Sequence, residues 1–225
     1  MSKQTKLETV EINGGGRYYK SPTNGMWYPS VTTVVNHQDA EKWKKWREDP
    51  DNKAHSEKAI ARGNRLHQLV EDYLMDQRKP TELGDRYYFD PMLPYLKNIE
   101  GIYTVETALW SDSLNLAGRV DCIGKYKGMN AVIDFKTAGK EKKREWIRNY
   151  FHQAAAYSYM WQERTEQFAE AIVILIVNDE GTVQEFIEHR ADHVRGLGEV
   201  MKSFWLKNPL SKIQEVANGL AAKAA

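Results

Sequence analysis

The chain has 225 residues, 28% of them charged and 41% hydrophobic, with 32 Lys and Arg against 31 Asp and Glu for a net charge of +1. That length can bury one substantial core. No apolar run reaches the roughly 18–20 residues of a membrane span, and the near-neutral charge excludes a globally basic nucleic-acid binder, leaving only local positive patches. A single cysteine, Cys122, excludes an internal disulfide and a four-cysteine iron–sulphur cluster or zinc ribbon within the chain.

Residues 1–16 read as a polar, flexible leader ending in Gly14-Gly15-Gly16, with no apolar signal-peptide core. Arg17–Lys20 and Met26–Tyr28 flank a turn-rich Ser21-Pro22-Thr23-Asn24-Gly25 and predict a small hairpin. Pro29-Ser30-Val31-Thr32-Thr33 reads as a helix start with Ser30 or Thr32 as cap. A short amphipathic helix is expected over Asp39–Glu48, broken at Pro50-Asp51-Asn52. A long helix follows from about Ser56 to Gln77, with an apolar stripe of Ile60, Gly63, Leu66, Val70, Tyr73 and Leu74. His67 and Glu71 lie one turn apart at the edge of that stripe. Residues 85–100 read as a helix interrupted at Pro91 and Pro94. Ile102–Trp110 reads as a strand, with Tyr103, Val105, Thr107 and Leu109 on one face and Glu106 on the other.

The stretch from Leu114 to Lys140 is the most informative. Two runs rich in Val, Ile and Tyr flank Lys127-Gly128, a hairpin signal. A two-residue turn sets Asp121 opposite Asp134; a four-residue loop, Lys127 to Asn130, would pair Asp121 with Lys136 instead. Either register keeps Asp121, Asp134 and Lys136 on one face, because side chains alternate with period two. Opposed Cβ atoms lie about 4.5–5.5 Å apart, and two carboxylates that close repel unless a cation or a shared proton intervenes. Hard oxygen ligands of this kind suit Mg²⁺. A lysine beside them can orient or deprotonate a water, or offset charge on a phosphate in its transition state. The plain alternative is a salt bridge across a hairpin.

Beyond the hairpin, Arg144–Glu166 predicts a long helix with a stripe of Trp146, Ile147, Tyr150, Ala154, Tyr157 and Trp161, and with Gln153 one turn before Tyr157. Ala171–Val177 reads as a buried central strand, Thr182–His189 as an outer strand, and Ala191–Leu206 as a further helix. The end, GLAAKAA, reads as a frayed tail. The order helix, three strands, helix, strand predicts an α/β fold with a mixed sheet flanked by helices, in a single domain spanning 1–225.

Taken together, Arg62-Gly63…His67…Glu71, Gly118-Arg119-Val120-Asp121, Ile133-Asp134-Phe135-Lys136-Thr137 and Gln153-x-x-x-Tyr157 resemble the PD-(D/E)XK nuclease superfamily, in its RecB-like branch. The run from Glu106 to Thr137 is especially similar to the mitochondrial genome maintenance exonucleases and related phage exonucleases. Pro29 to Thr33 is similar to a segment near their start. The resemblance covers about residues 27–165. It implies a restriction-endonuclease-like core with a metal held by His67, Asp121, Asp134 and the backbone carbonyl of Phe135, with Glu106 as a further carboxylate. It makes Lys136 the catalytic lysine and places Gln153, Tyr157, Thr137, Glu71 and Arg62 at the DNA or behind the metal ligands. The expected cofactor is Mg²⁺, with Mn²⁺ able to substitute, and no iron–sulphur cluster. The expected partner is DNA, as single strands or ends, with no membrane. Homo-oligomers and replication or recombination partners are left open. The expected setting is the cytoplasm of a bacterium or phage-infected host. The expected activity is exonucleolytic; a structure- or sequence-specific endonuclease and a silent DNA-binding module of the same fold are the alternatives.

Overall fold

A computed structural model describes residues 5–12 and 16–224. Among the described residues there are two sheets. A small antiparallel sheet joins β1 (Thr9–Ile12), β2 (Gly16–Lys20) and β3 (Trp27–Pro29). It leads into α1 (Val31–Val35), α2 (Ala40–Trp46), α3 (Pro50–Asp76) and α4 (Leu83–Leu96). The main sheet has the order β4 (Ile99–Ser111), β5 (Leu116–Tyr126), β6 (Met129–Ala138), β7 (Ala171–Asn178), β8 (Val183–His189). Only β6 and β7 run parallel. A parallel pair needs a crossover, and α5 (Arg148–Thr165) supplies it. Helices α6 (Ala191–Lys207) and α7 (Leu210–Ala224) close the chain. This is the mixed α/β architecture expected. Among the described residues no helix is long and apolar enough to cross a membrane.

Each face of the main sheet carries its own core. Leu66, Leu69, Val70 and Tyr73 of α3 and Phe89, Met92 and Leu96 of α4 cover one face, against Cys122, Ile133, Phe135 and Val173. Phe151, Ala154, Tyr157 and Trp161 of α5, with α1 and α6, cover the other, against Val120, Ile123, Val132 and Ile174. Strand β7, AIVILIVN, is buried at every position. A fully buried Val, Ile or Leu contributes about 1.5–3 kcal/mol over an exposed one, so β7 anchors both faces.

Several boundaries differ from expectation for identifiable reasons. The polar leader contains β1: its backbone pairs with β2, and Glu8 and Glu11 reach Lys20 and Arg17. Residues 1–4 and 13–15, including Gly14 and Gly15, lie outside the described residues. The tail is helical rather than frayed, because Ile213, Ala217 and Ala221 recur at four-residue spacing and face the core. Gln214 also bonds both the backbone N–H and C=O of Trp27, and Asn218 takes the Trp27 indole N–H. Pro50 starts α3 instead of merely ending α2: it occupies the first turn, where its missing N–H costs nothing. There Asp49 caps the N–H groups of Asp51 and Asn52. Helix α4 runs through Pro91 and Pro94, its Phe89, Met92 and Leu96 buried. At the start of the predicted crossover helix a short 3-10 turn, Arg144–Trp146, precedes α5, leaving Trp146 exposed rather than in the apolar stripe.

One difference bears directly on the site. Tyr103 and Leu109 of β4 face one core while Val105 faces the other, so the four residues expected on one face do not share it. The ladder shifts between Ile102 and Thr104, and Glu106 sits at φ 48°, in the left-handed region. The partner strand slips too: Val120 and Ile123 face the α5 side but Cys122 the α3 side. Both strands change side at the position where Glu106 meets Asp121.

Candidate active site

The hairpin between β5 and β6 turns in two residues. Lys127 at φ 48° and Gly128 at φ 82° supply the two positive φ values that a tight hairpin turn requires. Tyr126 therefore pairs with Met129, and the ladder proceeds to Cys122 opposite Ile133. The next rung would be Asp121 with Asp134, as the two-residue register predicts. There the ladder stops. The Phe135 N–H donates to Asp121 Oδ2 at 3.0 Å, so a side-chain oxygen takes the place of a strand carbonyl. In an extended strand the N–H and C=O of one residue point to the same edge. The Phe135 carbonyl therefore also faces the gap between β5 and β6.

This fork opens into a cleft of about 420 Å³. One wall is α3, which presents Asn64, His67, Gln68 and Glu71; Glu106 and Asp121 form the floor. The opposite wall carries Lys136, Gln153 and Tyr157, and the small sheet adds Arg17 and Tyr19. Helix α3 on one side and α5 on the other thus bracket the end of the hairpin.

Three ligand atoms converge in the cleft. Those of His67, Glu106 and Asp121 lie within 4.8 Å of one another. His67 Nδ1 is 3.3 Å from Asp121 Oδ2 and 3.6 Å from Glu106 Oε1. Asp134 stands outside this trio. It is buried and turned toward Lys136, whose Nζ lies 2.6 Å from each of its oxygens but in hydrogen-bonding geometry only with Oδ1. Asp134 Oδ2 is left buried without a hydrogen-bond donor among the described residues. The Tyr150 ring lies 5.3 Å from Lys136 Nζ. Glu106 thus joins His67 and Asp121, while Asp134 does not belong to the trio.

The electrostatics follow from this packing. Burial pushes the Asp134 carboxyl up to about 6, against the opposing pull of Lys136. Burial alone would lower the Lys136 ammonium, but Asp134 and Asp121 together outweigh it and push it up to about 12. These values bracket neutral pH, so the pair is ionised there. The Asp121 carboxylate raises His67 above the ordinary histidine value of 6.5, with burial opposing and Glu106 assisting. Two carboxylates and an imidazole suit a divalent cation of the Mg²⁺ or Mn²⁺ type. The ligand atoms of one imidazole and two carboxylates converge in the cleft within 4.8 Å of one another, so the residues present fit such a group.

Other expected residues sit nearby in different ways. Gln153 and Tyr157 are buried, line the cleft and touch each other. Tyr157 fits only because residue 118 is glycine: a Cβ there would come within 2.6 Å of its hydroxyl. Glu71 lies 3.9 Å from Arg119, on the cleft wall. Arg62 is directed elsewhere; it pairs with Asp179 at 2.6 Å and covers the Tyr88 ring, tying α3 and α4 to the β7–β8 turn. Thr137 lies against Gly63 rather than in the cleft. Cys122 is buried, and burial raises its thiol, so it is chemically quiet. Sequence reading missed Asn64 and Gln68, although with His67 and Glu71 they form a polar stripe at helical spacing. It also missed Arg17 and Tyr19, for which no local signal exists: a separate sheet brings them in through the bridge between Ser30 and Ala117.

A family profile described as the PD-(D/E)XK nuclease superfamily matches residues 36–223. Mitochondrial genome maintenance exonuclease 1 of Homo sapiens is 27% identical over 156 residues, covering 61% of this chain and 45% of that protein. The Xenopus tropicalis protein of the same name is 34% identical over 104 residues, covering 44% and 29%. The chain thus spans less than half the length of these curated relatives. A solved structure from Eubacterium rectale aligns over 72% of this chain and 68% of its own at a TM-score of 0.47 and 13% identity, too loose a likeness to carry an argument.

Proposed function

This chain belongs to the PD-(D/E)XK nuclease superfamily, and from that premise we propose that it is a divalent-metal-dependent deoxyribonuclease, an exonuclease acting on single strands or DNA ends. The observation that carries the reading is the broken ladder at Asp121 and Asp134. A regular hairpin would close this fork with backbone hydrogen bonds. Here it is held open over buried acids and a half-buried lysine, an arrangement unfavourable for folding without a compensating role. The exonuclease relatives favour DNA ends as substrate.

In this reading His67, Glu106 and Asp121 hold the cation, with Asp134 and the Phe135 carbonyl beside them. A bound Mg²⁺ or Mn²⁺ would supply an activated water and neutralise charge on the scissile phosphate. Lys136 stays protonated at neutral pH, so it serves as a fixed cation and hydrogen-bond donor to water or phosphate oxygen rather than as a base. Asp134 aims that ammonium. Tyr157 and Gln153 hold the α5 wall and exclude bulk water from it.

The test is digestion of 5′- and 3′-labelled single- and double-stranded oligonucleotides with Mg²⁺, with Mn²⁺ and with EDTA. A circular single strand completes the set. Nucleotide release from linear DNA that needs a divalent metal and spares the circle supports the reading. Cleavage of the circle assigns an endonuclease, and no cleavage of any DNA overturns the proposal.

A further inference from the structure

Glu106 is the most constrained member of the cleft. Its left-handed backbone costs on the order of 1–3 kcal/mol for a non-glycine residue, and its side chain is only 11% exposed. Arg119 holds it: Nε lies 2.5 Å from Glu106 Oε2, while Nη2 lies 3.9 Å from Glu71 Oε2. The other Glu106 oxygen faces His67. A cation held by His67, Glu106 and Asp121 would therefore share Glu106 with a guanidinium. Two positive groups on one carboxylate compete, and of the cationic side chains Lys136 and Arg119 only Arg119 is free to move away. Lys136 is locked between Asp134 and Tyr150, whereas the Arg119 side chain is 53% exposed. The guanidinium end of this pair stands in water, so Arg119 can leave once another cation takes its place on the nearly buried Glu106. A guanidinium released at the cleft mouth, on a strand two residues from Asp121, suits a phosphate diester, which it can grip with two parallel hydrogen bonds.

We propose that Arg119 is a positioning residue that exchanges partners. In the metal-free protein it holds Glu106 in the cleft; when a divalent cation takes Glu106, it passes to a phosphate of the bound strand. The inference rests on the metal-dependent nuclease reading and adds a coupling to it: metal entry creates part of the DNA site. The matching consequence is that Arg119 weakens metal binding in the absence of DNA and strengthens DNA binding only when metal is present.

The experiment has two arms on the full chain, with thermal unfolding as the check that each variant folds. Calorimetric titration with MnCl₂ compares the wild type with Arg119→Ala. The variant is expected to bind Mn²⁺ about fivefold more tightly or better, the lower end of ordinary coupling between sites. Fluorescence anisotropy of a labelled single-stranded oligonucleotide is then measured in an Asp134→Asn background, which blocks cleavage, with Mn²⁺ and with EDTA. With Mn²⁺, Arg119→Ala is expected to weaken binding and to lower the slope of log affinity against log salt by about 0.7, the loss of one phosphate contact on a single strand. With EDTA it changes neither, and Arg119→Lys restores the slope. A variant that binds Mn²⁺ no more tightly than the wild type, or a salt slope equally reduced in EDTA, overturns the exchange. If the wild type binds no Mn²⁺ at all, the nuclease reading itself fails, and the first arm separates the two outcomes.

Discussion

The two ends of one hairpin obey opposite rules. Near the turn, β5 and β6 are paired from Tyr126–Met129 to Cys122–Ile133, and Ile123, Tyr126, Val132 and Ile133 are fully buried. One residue further, the same two strands part around Asp121, Asp134 and Lys136, and the adjoining strand bends through a left-handed Glu106. The closed end contributes apolar burial and saturated backbone hydrogen bonds. The open end buries charge and forgoes ladder bonds. The contrast teaches that apolar burial and the candidate site are divided along a single pair of strands, the first holding the geometry of the second.

The largest effect should come from the open end. Asp134→Asn is expected to slow cleavage by about a thousandfold or more, the scale of removing a group that organises transition-state charge. Unfolding of the metal-free protein should be unchanged or shifted to higher temperature, since a buried carboxylate is gone. Steady-state cleavage with parallel thermal melts checks both, and a variant that loses stability as it loses activity would dissolve the contrast. At the closed end Ile133→Ala should do the reverse. It should cost about 2–5 kcal/mol of stability through lost burial and a cavity, measured by urea unfolding, with activity per folded molecule retained. Gly118→Ala tests the border between the ends: its Cβ would meet the Tyr157 hydroxyl at 2.6 Å. Displacing that ring should cost about 1–3 kcal/mol and lower cleavage further by disturbing the α5 wall.

The smallest effect is a pH dependence. Both His67 and Asp134 have folded-state values raised above their ordinary ones. Groups raised on folding stabilise below the unfolded value and lose that contribution as pH rises through the folded value. For Asp134 the loss runs from about 3.8 to about 6, and for His67 it begins near 6.5 and extends above it. The metal-free protein should therefore melt at a lower temperature at pH 8 than at pH 5.5. Metal affinity should run oppositely, rising with pH as the imidazole sheds its proton. Melting curves in EDTA and Mn²⁺ titrations across that range check the two signs. Asp134→Asn should remove the lower part of the melting trend and leave the His67 part.

Much of this was readable from local pattern. Lys127-Gly128 marked the hairpin and left two registers open, both with Asp121, Asp134 and Lys136 on one face; the observed two-residue turn decided between them. The helical stripe of α3 placed His67 at its polar edge, and the unbroken apolar run Ala171–Val177 marked the buried strand. Glu106 was harder to place: alternation put it opposite Val105 and Thr107, but two irregularities in β4 rearranged the faces. Arg62 was expected at the DNA or behind the metal ligands from the family resemblance. Asp179, far away in sequence, captures it instead. The leader read as flexible and the tail as frayed because each is polar or alanine-rich in isolation. In the fold, β1 pairs with β2, and the C-terminal helix is tied to Trp27 by Gln214 and Asn218 from far along the chain.

The sequence by itself determined that Asp121, Asp134 and Lys136 would share one hairpin and that His67 would lie at the edge of a helical stripe, since strand and helix periodicity are properties of neighbouring residues. Only the tertiary structure decided how those residues share the work. The parting of β5 from β6, the turning of Asp134 to Lys136, the entry of Glu106 beside His67 and the guanidinium of Arg119 on that carboxylate all depend on helices and strands distant in sequence. These elements remove water from the fork, and removing water is what makes each charge choose a partner.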